Sequence, residues 1–576
     1  MPATSQATPQ ERRQFWLLLL IALVVIGAGM GLRDPWPSDE PRFALAAKQM
    51  VESGNWLFPH RGSELYSDKP PMLFWLEAAS YTVIGNWRIA FLLPSLLAAL
   101  GCLLCVYDLG RRLWNRQVGL YAASALLITF QFVYQTKRAQ IDPLVMFYIT
   151  AANWGLLVHM LKGPNWRAFW FGCFCAGLGV ITKGVGVLAL LMLVPYLVAS
   201  FGHWHGVARM GAGAWWRWVL GLVALLAAMA LWLVPMLLGA KAHANDPAYA
   251  AYVNDILFHQ TAGRYGKSWD HHHNTLYYVP IVLFTWLPLS LTYPGTLPRW
   301  WRALKEKDAR VLLPLAWIVL LLVFFSIPKG KRDVYIMPAL PMLALVTAPY
   351  FGELMQKRWL RIAGLVFIGV MGAAMLTMGI AGLAVHPKFT TDFAIARGFE
   401  DGGRALWWMG TTLGAALLLL VATLRVRRAV TAVAGGMVAM WLVLGFWAYP
   451  ILNDSSSAAG VMQEVRDRLP PGDQLGMVAW KEQNLLMLNH PAVDFGFTQP
   501  WHDQYAAGVK WQAQDPAHRW LFVLDPVMGK CVDRSKAISL GHANRREWWM
   551  FKADAVVPGC LPDENVDRVP AAALED

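Results

Sequence analysis

Apolar residues in this chain fall in long unbroken runs, not at alternating positions. Stretches of about 20 apolar residues, the length that crosses a bilayer's hydrocarbon core, recur as far as about residue 450 with short polar links between them. The pattern predicts thirteen membrane spans, beginning near Phe15, Ile89, Val118, Pro143, Phe169, Val185, Trp216, Leu276, Val311, Val334, Leu360, Ala405 and Val430. With the N-terminus cytoplasmic, the cytoplasmic links are 111–116, 162–167, 203–217, 299–310, 357–361 and 425–428. Each is basic, as the positive-inside bias requires. The first run follows Glu11, Arg12 and Arg13 in the manner of a signal peptide. It is read as a retained anchor, because the residues after it carry candidate chemistry.

Past residue 450 the pattern changes. "GDQLGMVAW" and "RWLFVLDPV" are short strand-like runs among polar segments containing Pro and Gly, as in a small α/β domain. The expected organisation is a transmembrane catalytic domain over 1–450, with periplasmic loops 33–88 and 240–275, and a soluble periplasmic domain over 451–576. Composition agrees: of 576 residues 56% are hydrophobic and 15% charged, more apolar surface than a soluble chain of this size needs. The net charge of +13 lies in scattered clusters instead of one stripe, which argues against nucleic acid and suits membrane lipid phosphates. Cys102, Cys105, Cys173 and Cys175 fall in apolar runs, whereas Cys531 and Cys560 lie in the polar tail and can pair if it is outside the cytoplasm.

Some basic residues break the positive-inside pattern. Lys69, Lys137, Arg138, Lys183, Arg264, Lys329, Lys331 and Arg332 all fall in external loops or at external span ends. Snorkelling toward headgroups explains any one of them; together they point to an anionic ligand. Asp39 and Glu40 follow the first span, and Phe43, Ala46, Ala47 and Met50 at helical spacing predict an amphipathic helix in the interface. Ser38 is its expected cap, with the acids at the positive end. Asp142, before Pro143, is either a cap or a functional acid.

The Asp39-Glu40 pair, "DKPP" with Lys69, "QIDP", "TKG" at 182–184, "GRY" at 263–265, "LYYVP" at 276–280 and "FFSIPKGKRDVYIMPALP" at 324–341 occur in that order. Over about residues 10 to 450 the chain thereby resembles bacterial membrane glycosyltransferases of the protein-mannosyltransferase-like superfamily, above all the lipid A aminoarabinose transferases. The resemblance implies an α-helical polytopic protein of the C-type glycosyltransferase fold in the bacterial inner membrane. It implies inverting transfer of a sugar, 4-amino-4-deoxy-L-arabinose, from undecaprenyl phosphate to lipid A at the periplasmic face. By similarity, Asp39 sits at the reacting centre and Asp142 is a second acid near the sugar. Lys69, Arg264 and Tyr335 match positions that hold the donor phosphate. Asp68 and His259 match a pair that can bind a divalent cation such as Zn or Mg, although Asp68 stands where relatives often have the longer glutamate. Glu40, Arg138, Lys329 and Lys331 are further candidates for substrate contact, and His271, His272 and His273 a weaker candidate for metal.

The chemistry is consistent with these residue types. Breaking the glycosidic bond puts negative charge on the leaving phosphate and positive charge on the sugar, so cations on one side and a carboxylate on the other stabilise the transition state. Pro70 and Pro71 restrict the backbone that presents Lys69. Asp39 either activates the acceptor as a base or, toward an acceptor already ionised, positions it or the amino group of the sugar. The rival readings are transfer to another glycan, lipid or protein acceptor, a transporter or flippase of a lipid-linked substrate, and a membrane-anchored binding protein centred on the tail.

Overall fold

The computed structural model describes residues 8–208, 210–258, 273–399 and 401–568. Helix α1 (Pro9–Gly27) starts with a capping box in which Thr8 and Glu11 each accept from the other's backbone N–H. The elements that build the site follow: α2 (Glu40–Ser53), α3 (Met72–Ile84), α4 (Leu93–Leu113), α5 (Arg116–Ile128), α6 (Phe130–Thr136), α7 (Ile141–Lys162), α8 (Trp166–Lys183), α9 (Trp215–Ala242) and α10 (Ala309–Ser326). Helix α7 is buried along most of its length. It meets α8 so closely that a Cβ on Gly155 would lie 2.3 Å from the Ala168 carbonyl oxygen, the close approach that small residues permit between membrane helices.

Among the described residues, seven helical stretches are long and apolar enough to cross a membrane: Trp87–Leu113, Ile141–Lys162, Trp215–Ala242, Ala309–Ser326, Arg358–Val385, Arg404–Leu424 and Val426–Ser457. The pair α5 and α6, bent by 68°, makes an eighth if it is one span. These account for eight of the thirteen expected spans. The other five runs are not regular long apolar helices. Helix α1 carries Glu11, Arg12 and Arg13 in its first turn, and α8 is a helix of 18 residues. The run from Val185 begins as a 3₁₀ turn after Gly184, the run from Leu276 is cut by Pro280 and Pro288 into short turns, and the run after Val334 is a short helical segment, Ala339–Leu354. Glycine and proline interrupt the last three of these runs.

Helix α2 departs from the expectation in two ways. Asp39, not Ser38, is its N-cap, and the side chain makes no capping bond. The helix is also packed on more than one face. Phe43, Ala46, Ala47 and Met50 pack into the core of the helical body, while Ala44 and Leu45 belong to a second core shared with the C-terminal unit.

That unit is α/β, as "GDQLGMVAW" and "RWLFVLDPV" suggest. After a ribbon of β1 (His60–Arg61) and β2 (Glu64–Leu65) in the first loop, its strands are β3 (Gln474–Val478), β4 (Ala492–Asp494), β5 (Arg519–Leu524), β6 (Ile538–Ala543) and β7 (Arg546–Phe551). They are ordered β4-β3-β5-β7-β6, with β3 parallel to β4 and β5 and the remaining pairs antiparallel. Met477 pairs with Phe522, and Phe522 with Met550. Strand β5 is buried on both faces, which accounts for its continuous apolar run. Cys531 and Cys560 form a disulfide.

A cavity lined by acids, cations and an apolar wall

Five segments, separated in sequence, bring charged residues to one cavity of about 560 Å³, a size typical of small-molecule sites. Asp39 arrives at the start of α2, and Asp68, Lys69 and Pro70 come from the loop before α3. Asp142 lies in the first turn of α7. Lys183 ends α8, where Gly184 stops the helix at a φ of +78°, a conformation that suits glycine. Arg332 and Tyr335 come from the turn after α10. That turn is anchored by Gln131 of α6, whose Nε2 donates to the Asp333 carbonyl at 3.2 Å and whose Oε1 accepts from Trp286 Nε1 at 2.6 Å.

Acids and cations pair across the space. Lys183 is hydrogen-bonded to Asp142, and its ammonium lies 4.7 Å from the Tyr335 ring centre. Arg332 Nη2 stands 3.6 Å from Asp39 Oδ2. Burial works against the Arg332 charge, but Asp39 and Asp142 outweigh it and raise the guanidinium above its ordinary value. The remaining lining is mostly apolar and includes Leu188, Met229, Trp232, Leu233, Phe324 and Phe325. The site thus combines paired acids and cations with an extensive apolar lining.

Of the residues expected at the site, Asp39, Asp68, Lys69, Asp142 and Tyr335 line this cavity. Arg264, His259, His271 and His272 lie outside the described residues. Among the described residues no three His, Cys, Asp or Glu side chains are placed to hold a metal ion; Asp68 is the described half of the expected pair.

Four candidates for substrate contact stand elsewhere. Arg138 Nη1 donates to the Tyr134 hydroxyl at 3.4 Å. Lys329 is exposed, and its carbonyl accepts from His273 N–H at 3.0 Å. Lys331 is buried with its ammonium donating to the carbonyls of His273 at 3.2 Å and Pro328 at 2.5 Å. Glu40, 1% exposed, faces inward. It accepts from Arg33 Nη1 at 2.5 Å, Arg33 Nη2 at 2.7 Å, Trp36 N–H at 2.9 Å and Ala139 N–H at 2.9 Å. Burial would raise its carboxyl, but the Arg33 charge and hydrogen bonds more than offset this and hold it below the usual range. Since Arg33 Nη2 also donates to the Lys137 carbonyl at 3.1 Å, the pair fastens the segment carrying Asp39 to the segment leading into Asp142. Lys137 is structural as well. Its ammonium donates to the carbonyls of Val25, Ile26 and Ala28 at 3.0, 3.3 and 2.6 Å, which satisfies the end of α1.

Lys183 and Arg332 stood among the external cations but were not assigned to the site. The signal was their violation of the positive-inside pattern, in "TKG" and "GKRD". No sequence feature distinguishes them from the basic residues that turn inward to carbonyls instead.

The arrangement defines a class, the polytopic helical membrane proteins of the C-type glycosyltransferase fold. The structure of ArnT from Cupriavidus metallidurans bound to undecaprenyl phosphate shares this fold with a TM-score of 0.71 at 20% identity, over 94% of this chain and 99% of that one. Residues 68–234 match the family model described as dolichyl-phosphate-mannose-protein mannosyltransferase. The undecaprenyl phosphate-alpha-4-amino-4-deoxy-L-arabinose arabinosyl transferase of Sodalis glossinidius is 30% identical over 390 residues, 65% of this chain and 67% of that protein. Its counterpart in Proteus mirabilis is 30% identical over 364 residues, 62% of this chain and 63% of its own length. The matched region thus spans about two thirds of these curated relatives. The chain belongs to the undecaprenyl phosphate-aminoarabinose arabinosyl transferase family.

Proposed function

We propose that the protein is a glycosyltransferase that moves 4-amino-4-deoxy-L-arabinose from undecaprenyl phosphate to lipid A on the periplasmic face of the inner membrane, inverting the anomeric carbon. The observation that carries this reading is the one cavity that Lys69, Lys183, Arg332 and Tyr335 line together with Asp39, Asp142 and many apolar side chains. The donor phosphate sits at the cationic pole, and its prenyl chain runs along the wall, where each buried CH₂ contributes about 0.8 kcal/mol.

As the C–O bond to the phosphate breaks, its electron pair goes to the phosphate oxygen, and Lys69, Tyr335 and Arg264 stabilise the charge that grows there. The acceptor oxygen attacks the opposite face of the sugar. Asp39 takes its proton if it is a hydroxyl; toward an ionised phosphate acceptor it orients the acceptor or the sugar's ammonium. Asp142, which pairs with Lys183, serves as the second acid, on the sugar's side of the reaction. A divalent cation such as Mg²⁺ or Zn²⁺ at Asp68 and His259 would add Lewis-acid stabilisation of the same phosphate. The basic links support a cytoplasmic N-terminus and a periplasmic C-terminal unit, and the Cys531–Cys560 disulfide suits such an oxidising compartment.

The test is mass spectrometry of lipid A and of undecaprenyl-linked sugars in cells with and without the gene. The expected result is aminoarabinose on lipid A only when the protein is present, and accumulation of the sugar donor when it is absent. Unmodified lipid A with a depleted donor pool would point to another acceptor; no change in either would end the proposal.

A further inference from the structure

The bent pair α5 and α6 carries a buried amide that no step of the transfer uses. At Thr129 the backbone turns to a ψ of 125° and α5 ends; α6 leaves at 68° to it. The first N–H groups of a new helix have no carbonyl within it, and that of Phe130 donates instead to the Leu287 carbonyl at 2.8 Å. One residue on, Gln131 is turned inward, 2% exposed.

The Gln131 amide is engaged on both sides. Its Oε1 accepts from Nε1 of Trp286, itself 1% exposed, at 2.6 Å, and the Thr285 hydroxyl lies 3.3 Å from the same oxygen. Its Nε2 donates to the Asp333 carbonyl at 3.2 Å and to Asp333 Oδ2 at 3.3 Å. An indole N–H only donates and a carbonyl only accepts, so the amide has one orientation here, and only an amide meets both demands from one arm. Asp333 opens the 3₁₀ turn Asp333–Ile336, with Arg332 before it as N-cap, and Tyr335 N–H donates to the Arg332 carbonyl at 3.1 Å. Holding Asp333 by carbonyl and carboxylate therefore sets the two neighbours that line the cavity, Tyr335 and Arg332, the latter 3.6 Å from Asp39.

The far end of α6 serves the acids. Just past it the Lys137 carbonyl accepts from Arg33 Nη2 at 3.1 Å, and Ala139 N–H donates to Glu40 Oε1 at 2.9 Å, the bonds that tie the Asp39 segment to the one leading into Asp142. Helix α6 has 7 residues, most of them buried, and is about 10 Å long. It reaches from the turn of Arg332 and Tyr335 at its start to the Arg33–Glu40 pair beyond its end.

We propose that Gln131 is a positioning residue for the transfer: through Asp333 it sets Tyr335 and Arg332 at a fixed separation from Asp39 and Asp142, with α6 as the strut between them. This rests on the roles given above to Tyr335 at the donor phosphate and to Asp39 at the acceptor, and it names the side chain that registers one against the other.

The experiment compares purified full-length variants in proteoliposomes for undecaprenyl phosphate affinity, kcat, acceptor KM and melting temperature. Gln131→Met keeps the volume of the side chain and removes its bonds. Affinity for undecaprenyl phosphate should fall about 3- to 10-fold, the worth of a hydrogen bond, and kcat about 10- to 100-fold, the scale of a small misplacement at the reacting centre, while the acceptor KM stays close to wild type. Asp333→Asn should behave as wild type, since its side-chain oxygen still accepts. Gln131→Glu combined with Asp333→Asn reverses the polarity of the link, because the new amide donates to a carboxyl that still accepts from Trp286; most of the lost kcat should return. A merely structural role would lower the melting temperature and leave kcat per folded molecule unchanged, and that result would overturn the proposal. So would a paired variant no better than Gln131→Met, or a Gln131→Met protein with kcat and donor affinity within about twofold of wild type. Should Gln131→Met fail to fold, Gln131→Asn, with the same amide on an arm one methylene shorter, takes its place under the same outcomes. A wild type that binds undecaprenyl phosphate yet moves no aminoarabinose would refute the proposed reaction, and the affinity comparison would then decide the positioning by itself.

Discussion

Replacing Glu40 with alanine tests the claim that the Arg33–Glu40 pair fastens the catalytic segments. Arg33 is 2% exposed and Glu40 1%, so the substitution leaves a guanidinium buried without its carboxylate and removes the acceptor for the N–H groups of Trp36 and Ala139. Breaking a buried pair from one side costs about 3–5 kcal/mol, a fifth or more of the roughly 5–15 kcal/mol that holds a typical domain folded. The measurement is denaturant unfolding of the purified chain in micelles, followed by tryptophan fluorescence. Arg33→Met combined with Glu40→Leu should recover most of the loss, since a pair of similar-sized apolar groups needs no counter-charge. The paired variant should nevertheless show reduced kcat with donor affinity kept, because Ala139 N–H and Lys137 C=O lose the partners that register Asp142 against Asp39. A Glu40→Ala protein within about 1 kcal/mol of wild type, or a paired variant with full kcat, would refute this reasoning.

Four further outcomes are expected. Asp39→Asn should abolish transfer in proteoliposomes while leaving donor affinity within about twofold, and retained turnover would remove Asp39 from the chemistry. Lys69→Ala should weaken donor binding by about 10- to 100-fold, the worth of a hydrogen bond to a charged group; unchanged affinity in a titration with undecaprenyl phosphate would contradict the clamp. Cys531→Ser with Cys560→Ser should lower the stability of the C-terminal unit by about 3–4 kcal/mol, the loop-closure value for a separation of 29 residues, and a shift below about 1 kcal/mol would show that the unfolded chain is not constrained by the bridge. Lys481, pushed down to about 8 in the folded chain, returns to about 10.4 on unfolding. Between those values the unfolded state binds the extra proton, so stability should rise as pH climbs from about 8 to 10, and Lys481→Met should flatten that slope.

Much of the cavity was legible because its residues violate a rule. Lys69, Lys183 and Arg332 are cations on the side where orientation asks for none, and Asp39 and Asp142 stand at span ends where carboxylates are costly. Glu40 beside Asp39 was not separable from it, since its partners are Arg33 and the amide of Ala139, 99 residues on. Lys137 and Lys331 share the same violation, yet they satisfy carbonyls; sequence does not show which way a long side chain turns. The second face of α2 rests on Ala44 and Leu45, which add nothing to a helical period already explained by Phe43 and Met50. Eight of the thirteen expected spans are long apolar helices among the described residues, while Gly184, Pro280 and Pro288 interrupt others whose hydropathy alone reads as continuous.

Helix α2 has solvent-hating side chains in both cores at once, and Asp39 sits at its tip. Severing the chain near residue 450 would therefore not liberate a functional membrane half: Ala44, Leu45, Phe91 and Leu92 would be stripped of their cover, and the acid would ride on a lever with one bearing removed. Any force that tilts the C-terminal unit is transmitted to the reacting end of that lever.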